Sequence, residues 1–221
     1  MKDTILYGDC RETLCAFLPQ SARMCVTSPP YYGLRNYGGE DSQIGLEESP
    51  EEYIRNLVEV FREVRNQLTD DGTLWVNIGD SYYNYRPGKG QALSKQSVSK
   101  TNQDLPEKCA RRGNKLEGLK EKDLIGIPWM FAFAMRADGW YLRQDIIWNK
   151  PNPMPESVRD RCTKSHEYIF LFSKNQNYHF DVDAIKEPTR RKRSVWSITK
   201  KPYKGAHCAV FPPELIEPCI L

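Results

Sequence analysis

Residues 26–38 read Val-Thr-Ser-Pro-Pro-Tyr-Tyr-Gly-Leu-Arg-Asn-Tyr-Gly, and four of them, Ser28, Pro29, Pro30 and Tyr31, combine types that can do chemistry together. Proline carries no backbone N–H, and the residue before a proline is driven toward an extended conformation. The corner therefore offers the Ser28 hydroxyl and carbonyl oxygens with few competing donors. That suits a group that only donates, such as the exocyclic amine of a nucleobase. Ser28 and the Pro29 carbonyl can take its two hydrogens and steer the nitrogen lone pair at an electrophile. Such orientation counts for much when the lone pair is conjugated with a ring and weakly nucleophilic. Tyr31 adds a flat face for the base. A base stacked in a duplex cannot reach such a pocket, so it must be flipped out or single-stranded. A proline turn closed by a packed tyrosine is the plainer reading of the same residues.

The elements that must position this corner are legible from periodicity. Residues 23–28, Arg-Met-Cys-Val-Thr-Ser, read as a strand leading into it through the apolar Met24, Cys25 and Val26, and residues 4–9, Thr-Ile-Leu-Tyr-Gly-Asp, read as an earlier short buried strand. Leu14, Phe17 and Leu18 have helical spacing. The strongest helix covers residues 49–68: Ser49 caps it, Pro50 takes the first helical position, and Glu51 and Glu52 favour the positive end of its dipole. Tyr53, Leu57, Val60, Phe61, Val64 and Leu68 share one face. The sequence then predicts a turn at Asp70-Asp71-Gly72 and a strand over residues 73–80. A second amphipathic helix follows over residues 124–136, broken by Ala-Asp-Gly-Trp. Two further strands cover residues 141–150 and 166–174. Strands alternating with such helices predict an α/β fold with a mostly parallel sheet.

Charged residues make up 28% of the chain and hydrophobic ones 39%, ordinary for a folded protein, and the net charge of +3 implies no polyanion partner by itself. The positive charge is concentrated instead. Residues 84–122 are rich in Gly, Ser, Gln and Lys and include Arg111 and Arg112; this reads as a basic flexible insertion or a mobile arm that tracks phosphates. Residues 186–206 carry Arg190, Arg191, Lys192, Arg193, Lys200 and Lys201, interleaved with Trp196 and Tyr203. That mixture is expected where phosphates and bases are touched together. The seven cysteines form no C-x-x-C pair and the three histidines are scattered, which argues against zinc. No apolar run is long enough to span a bilayer and the N-terminus has no signal-peptide core, so the expected location is the cytoplasm.

The Ser-Pro-Pro-Tyr strand, its aliphatic approach and Thr27 resemble the catalytic motif of S-adenosylmethionine-dependent DNA amino-methyltransferases, which modify cytosine N4 or adenine N6. The opening Leu-Tyr-Gly-Asp-Cys, residues 72–82, 139–161 and 165–181, and residues 207–221 resemble successive blocks of the permuted class, in which the catalytic half precedes the main cofactor half. The resemblance implies a Rossmann-like methyltransferase sheet with helices on both faces, circularly permuted. It implies catalytic roles for Ser28, Pro29, Pro30 and Tyr31, and cofactor contacts by Asp9, Cys10, Thr27, His207, Phe211 and Pro212. Asp9 can equally cap the helix that follows it. Asp80, at a strand's C-terminal end, is either a site residue or a turn residue. Glu217-Pro218-Cys219 superficially resembles the Pro-Cys of carbon-5 cytosine enzymes but lacks their other motifs.

Ser at position 28 favours N4 of cytosine; adenine enzymes more often carry Asp or Asn there, so N6 of adenine is the alternative. The division implied is a catalytic part over 1–83, the insertion over 84–122, a continuation over 123–185, a target-recognition segment over 186–206 and the start of the cofactor part over 207–221. The family pattern goes on to a glycine-rich cofactor turn that has no counterpart here, so the fold is expected to be incomplete at its C-terminus. The partners this reading admits are double-stranded DNA, a restriction endonuclease and a second chain that completes the cofactor site. Its rivals are a non-catalytic DNA-binding fragment and a methyltransferase for RNA or protein glutamine.

Overall fold

The computed structural model describes residues 4–34, 43–83, 116–201, 203 and 210–221. They form four helices and five strands in the order α1 (Cys10–Cys15), β1 (Ala22–Thr27), α2 (Pro50–Gln67), β2 (Leu68–Ile78), α3 (Ile127–Ala137), β3 (Tyr141–Asn149), β4 (His166–Ser173), β5 (Val195–Ser197) and α4 (Pro213–Ile220). The chain divides into two compact units. No helix among the described residues is long and apolar enough to cross a membrane.

The first unit comprises Met1–Leu18, Pro29–Gln67 and Gly79–Gly139. Ser49 Oγ accepts the Glu52 amide at 3.1 Å at the start of α2, as its sequence predicts. The helix buries Tyr53, Leu57, Val60, Phe61 and Val64 along one stripe and packs against α3, where the rings of Phe61 and Phe131 lie 5.4 Å apart. α3 begins at Gly126, whose φ of +90° favours glycine, and ends before Gly139, with φ of +97°. Residues 4–9, expected as a buried strand, are not one: Ile5, Leu6 and Tyr7 are exposed, and no described residue pairs with them in a ladder. Apolar composition is strand-like, but a strand exists only beside a hydrogen-bonded neighbour.

The second unit comprises Pro19–Ser28, Leu68–Ile78 and Trp140–Leu221 and holds the sheet, in the order β1-β2-β4-β3-β5. β1 with β2 and β3 with β5 are parallel, whereas β4 is antiparallel to both its neighbours. Four strands thus share one direction and β4 alone opposes them, so the expected parallel character holds for strand direction but not for the two central ladders. The turn expected at Asp70-Asp71-Gly72 is instead absorbed into β2 as an irregularity: Ala22 faces Leu68 and Met24 already faces Thr73. A Cβ at Gly72 would lie 2.9 Å from both Leu68 Cβ and the Thr69 carbonyl, so only glycine fits there.

One face of the sheet gathers Trp75, Ile146, Trp148, Ile169, Leu171 and Trp196 beneath Leu215 and Cys219 of α4. Each indole N–H is satisfied: Trp75 donates to Thr73 Oγ1 at 3.2 Å, Trp148 to the Ile198 carbonyl at 2.8 Å and Trp196 to the Arg193 carbonyl at 2.8 Å. The opposite face buries Leu74, Val76, Ile78, Phe170 and Phe172. β2 is apolar on both faces, as a central strand must be.

Candidate active site

The chain leaves β1 at Thr27, which pairs with Val76, and enters the corner at Ser28. Ser28, Pro29, Pro30 and Tyr31 are all half-buried. Within the first unit the rest of the corner is pinned from several sides. The Pro30 carbonyl accepts a 2.8 Å hydrogen bond from the hydroxyl of Tyr53, a fully buried residue of α2. Burial, aided by the nearby Glu47 charge, pushes the Tyr53 phenol far above its ordinary pKa, so it stays a donor. The Tyr32 and Tyr53 rings sit 5.5 Å apart. The Tyr31 carbonyl accepts from Leu34 N at 3.2 Å, and Gly33 N donates to Gly45 O at 2.7 Å. Two glycines let the backbone come close. A Cβ at Gly45 would stand 3.2 Å from the Tyr31 carbonyl, and one at Gly79 would stand 2.7 Å from Tyr31 Cε2.

Asp80, next to Gly79, is occupied structurally. Both its carboxylate oxygens accept from Gly126 N at 3.1 Å, Oδ1 also from Ile127 N at 3.2 Å, which closes the otherwise uncapped start of α3. Asp9 caps α1 through the Arg11 amide at 2.8 Å and pairs with the Arg11 guanidinium at 2.5 Å. The hydrogen bond from Arg11 is the main reason its carboxyl pKa lies below the ordinary value. Cys10 is the first residue of α1 and is exposed; partial loss of water around its thiol, then the Asp9 charge, raise the thiol pKa.

In the sheet unit, the C-terminal ends of β2 and β3 carry a polar cluster that the sequence did not single out. Asn77 Nδ2 donates to Glu167 Oε2 at 3.2 Å and to the Tyr168 carbonyl at 3.1 Å, and Glu167 Oε1 pairs with Lys150 Nζ. Lys150 also stands 4.2 Å from the centre of the Trp148 ring. Loss of water pulls the Lys150 pKa down, opposed by the Glu167 charge.

The basic segment is fastened to this sheet rather than free. β5 pairs with β3, Asn149 Nδ2 donates to Ser197 Oγ at 3.0 Å, and Asn152 exchanges two hydrogen bonds with the Lys200 backbone at 3.0 and 3.1 Å. Trp196, expected to touch DNA, is instead only 5% exposed in the tryptophan core, because its ring alternates inward on β5. Lys192 lies 5.1 Å over that ring. Arg190 pairs with Glu187 and Lys201 with Glu214, while Arg191, Arg193 and Tyr203 are exposed. Phe211 packs against the tryptophan core and Pro212 precedes α4 as a buried residue. Arg111, Arg112 and His207 lie outside the described residues. Among the described residues, no group of three His, Cys, Asp or Glu is placed to hold a metal ion.

The sequence reading missed Tyr53 and Gly79 as neighbours of the corner. Tyr53 looked like one more core residue on the apolar face of its helix. Its hydroxyl was the signal, since a buried tyrosine O–H seeks an acceptor.

A family profile described as DNA methylase matches residues 22–221. The chain is 50% identical to the Type II methyltransferase M.Cfr9I of Citrobacter freundii, over 99% of this chain and 71% of the relative. It is 48% identical to M.SmaI of Serratia marcescens, over 98% of this chain and 74% of the relative. Among solved structures, the PvuII DNA methyltransferase (cytosine-N4-specific) superposes with a TM-score of 0.65 at 17% identity, covering 96% of this chain and 67% of that one. TTHA0409 of Thermus thermophilus, solved in complex with S-adenosyl-L-methionine, superposes with a TM-score of 0.59 at 22% identity, over 96% of this chain and 71% of that one. At these identities the superpositions speak to the fold.

Proposed function

The chain belongs to the DNA methylase family, and on that premise we propose that it transfers a methyl group from S-adenosylmethionine to the N4 amine of cytosine in DNA. The observation that carries this reading is the donor-poor corner at Ser28-Pro29-Pro30. Ser28 Oγ and the Pro29 carbonyl take the two amine hydrogens, which leaves the nitrogen lone pair directed outward, and Tyr31 stacks on the flipped base. The Pro30 carbonyl is already engaged by Tyr53 and does not compete for the amine. Ser at position 28, where adenine enzymes more often carry an acidic or amide side chain, supports cytosine.

Asp9 fits the cofactor: Arg11 keeps the carboxylate ionised, and it remains partly exposed as an acceptor for hydroxyl or amine hydrogens. Cys10, Thr27, His207, Phe211 and Pro212 complete the residues assigned to the same ligand. When bound, the cofactor supplies an electrophilic methyl group. Arg191, Arg193, Lys200 and Tyr203, with Arg111 and Arg112 of the insertion, contact the DNA backbone, with Arg190, Lys192 and Lys201 adding charge beside them.

The test is transfer of labelled methyl groups to duplex DNA, followed by digestion to nucleosides and mass spectrometry. N4-methylcytosine is expected. N6-methyladenine alone overturns the base assignment, and label on RNA or protein but not on DNA overturns the substrate class.

A further inference from the structure

Resting on the methyl-transfer reading above, we propose that Tyr53 and Gly79 are the positioning residues of the corner: Tyr53 removes one acceptor from the substrate's reach, and Gly79 sets the plane of the Tyr31 ring. Donors and acceptors at the corner are matched in number. Beside Ser28 Oγ and the Pro29 carbonyl, the Pro30 carbonyl is a further candidate acceptor for an amine. An exocyclic amine has two hydrogens. A third acceptor of equal reach would let the amine rotate between pairings and carry its lone pair off the transfer line. The Tyr53 hydroxyl takes the Pro30 carbonyl at 2.8 Å, from a helix whose other apolar residues lock the ring in place. The Tyr31 carbonyl is likewise taken, by Leu34 N at 3.2 Å. The carbonyls on the far side of the corner are thus satisfied by the protein.

Gly79 acts on the ring rather than on the carbonyls. Real Cβ atoms essentially never come within 3.0 Å of a neighbour, and a Cβ at this position would stand 2.7 Å from Tyr31 Cε2 and 3.2 Å from Cδ2, so the ring would have to shift. The backbone of Gly79 is not left-handed, so its glycine is explained by closeness to the ring and not by φ. Tyr31 is backed directly by main chain just past the end of β2, and no intervening side chain can rotate away and let the ring tilt.

Two variants of the full chain test this. Tyr53→Phe keeps the ring and removes the hydroxyl; Gly79→Ala keeps the backbone and displaces the Tyr31 ring. The readouts are steady-state methylation of duplex DNA and amide hydrogen exchange of residues 31–34, each with a thermal melt as a folding control. Each variant is expected to lower kcat about tenfold to a hundredfold, the scale of sub-ångström to ångström misplacement, while KM for DNA and donor stays within about twofold. Exchange at residues 31–34 should quicken in Tyr53→Phe with the rest of the chain unchanged. The proposal is overturned for either residue whose variant keeps its kcat or loses activity through KM instead, and for Tyr53 also if exchange at the corner does not move. Absence of any transfer by the unaltered chain overturns the methyl-transfer reading instead, and the exchange measurement then decides the anchoring by itself. Should Tyr53→Phe not fold, Gly79→Ala carries the kcat comparison.

Discussion

The corner at residues 28–31 and the basic segment at residues 186–206 were both read from short stretches of sequence, and the structure treats them differently. In the corner the proposed chemistry draws on consecutive residues. Two prolines strip out donors whatever the rest of the chain does, and the structure adds supports without altering that character. In the basic segment charge and aromatic content suggested contact with phosphates and bases along its whole length. Which of its side chains are free depends on partners far away in sequence, and here Trp148, Asn149 and Asn152 fasten it to the sheet. Local chemistry survives folding; local freedom is decided by it.

Three experiments try that contrast, beginning with the largest effect. Ser28→Ala should lower methyl transfer about a hundredfold or more while DNA affinity changes little, since one orienting acceptor is lost and no phosphate contact. Full turnover by this variant would remove the corner from the mechanism. Trp196→Ala should cost about 3–5 kcal/mol of stability in urea unfolding, the range for emptying a large aromatic site in a core. If it instead weakened DNA binding with an unchanged midpoint, the ring would be a base contact and the contrast would fail. Arg191→Gln and Arg193→Gln should weaken duplex binding for all sequences alike and reduce the slope of log affinity against log salt by about 1 each. An unchanged salt slope would mean that the fastened segment faces something other than phosphate.

What could be read from the sequence follows the same division. The 3.6-residue stripe of α2, its Ser49 cap and the Gly139 stop of α3 were all visible, because each depends on neighbours within a few positions. Strand β5 was invisible, since three residues amid basic ones become a strand only through pairing with β3. Residues 4–9 failed in the opposite sense: they have strand composition without a ladder. The reversed direction of β4 could not be read either, because residues 150–165 between it and β3 contain no two-residue hairpin signal, so direction was set by long-range pairing. At the site, Ser28 to Tyr31 were legible as chemistry, whereas Tyr53 and Gly79 became relevant only once residues 23 and 48 positions away met the corner.

Asp9 lies between the two cases, since it caps a helix in the structure and is proposed to touch the cofactor, and the smallest predicted effect separates the two roles. The carboxylate accepts the Arg11 amide as a cap and pairs with the Arg11 guanidinium, the side chains being 27% and 33% exposed. Asparagine caps a helix about as well as aspartate but cannot form the ion pair. Asp9→Asn should therefore cost less than about 1 kcal/mol, the range of a solvent-accessible pair. Because the folded pKa lies below the ordinary value of 3.8, the stabilisation is fully present above that pH and is lost as pH falls through the folded pKa. Thermal melts of the two proteins should differ slightly from about pH 5 to 7 and converge toward about pH 2. A difference that persists undiminished at the acid end would mean that capping geometry, not charge, is what Asp9 contributes. A melt unchanged at every pH, with weakened S-adenosylmethionine binding in calorimetry, would assign the carboxylate to the cofactor alone.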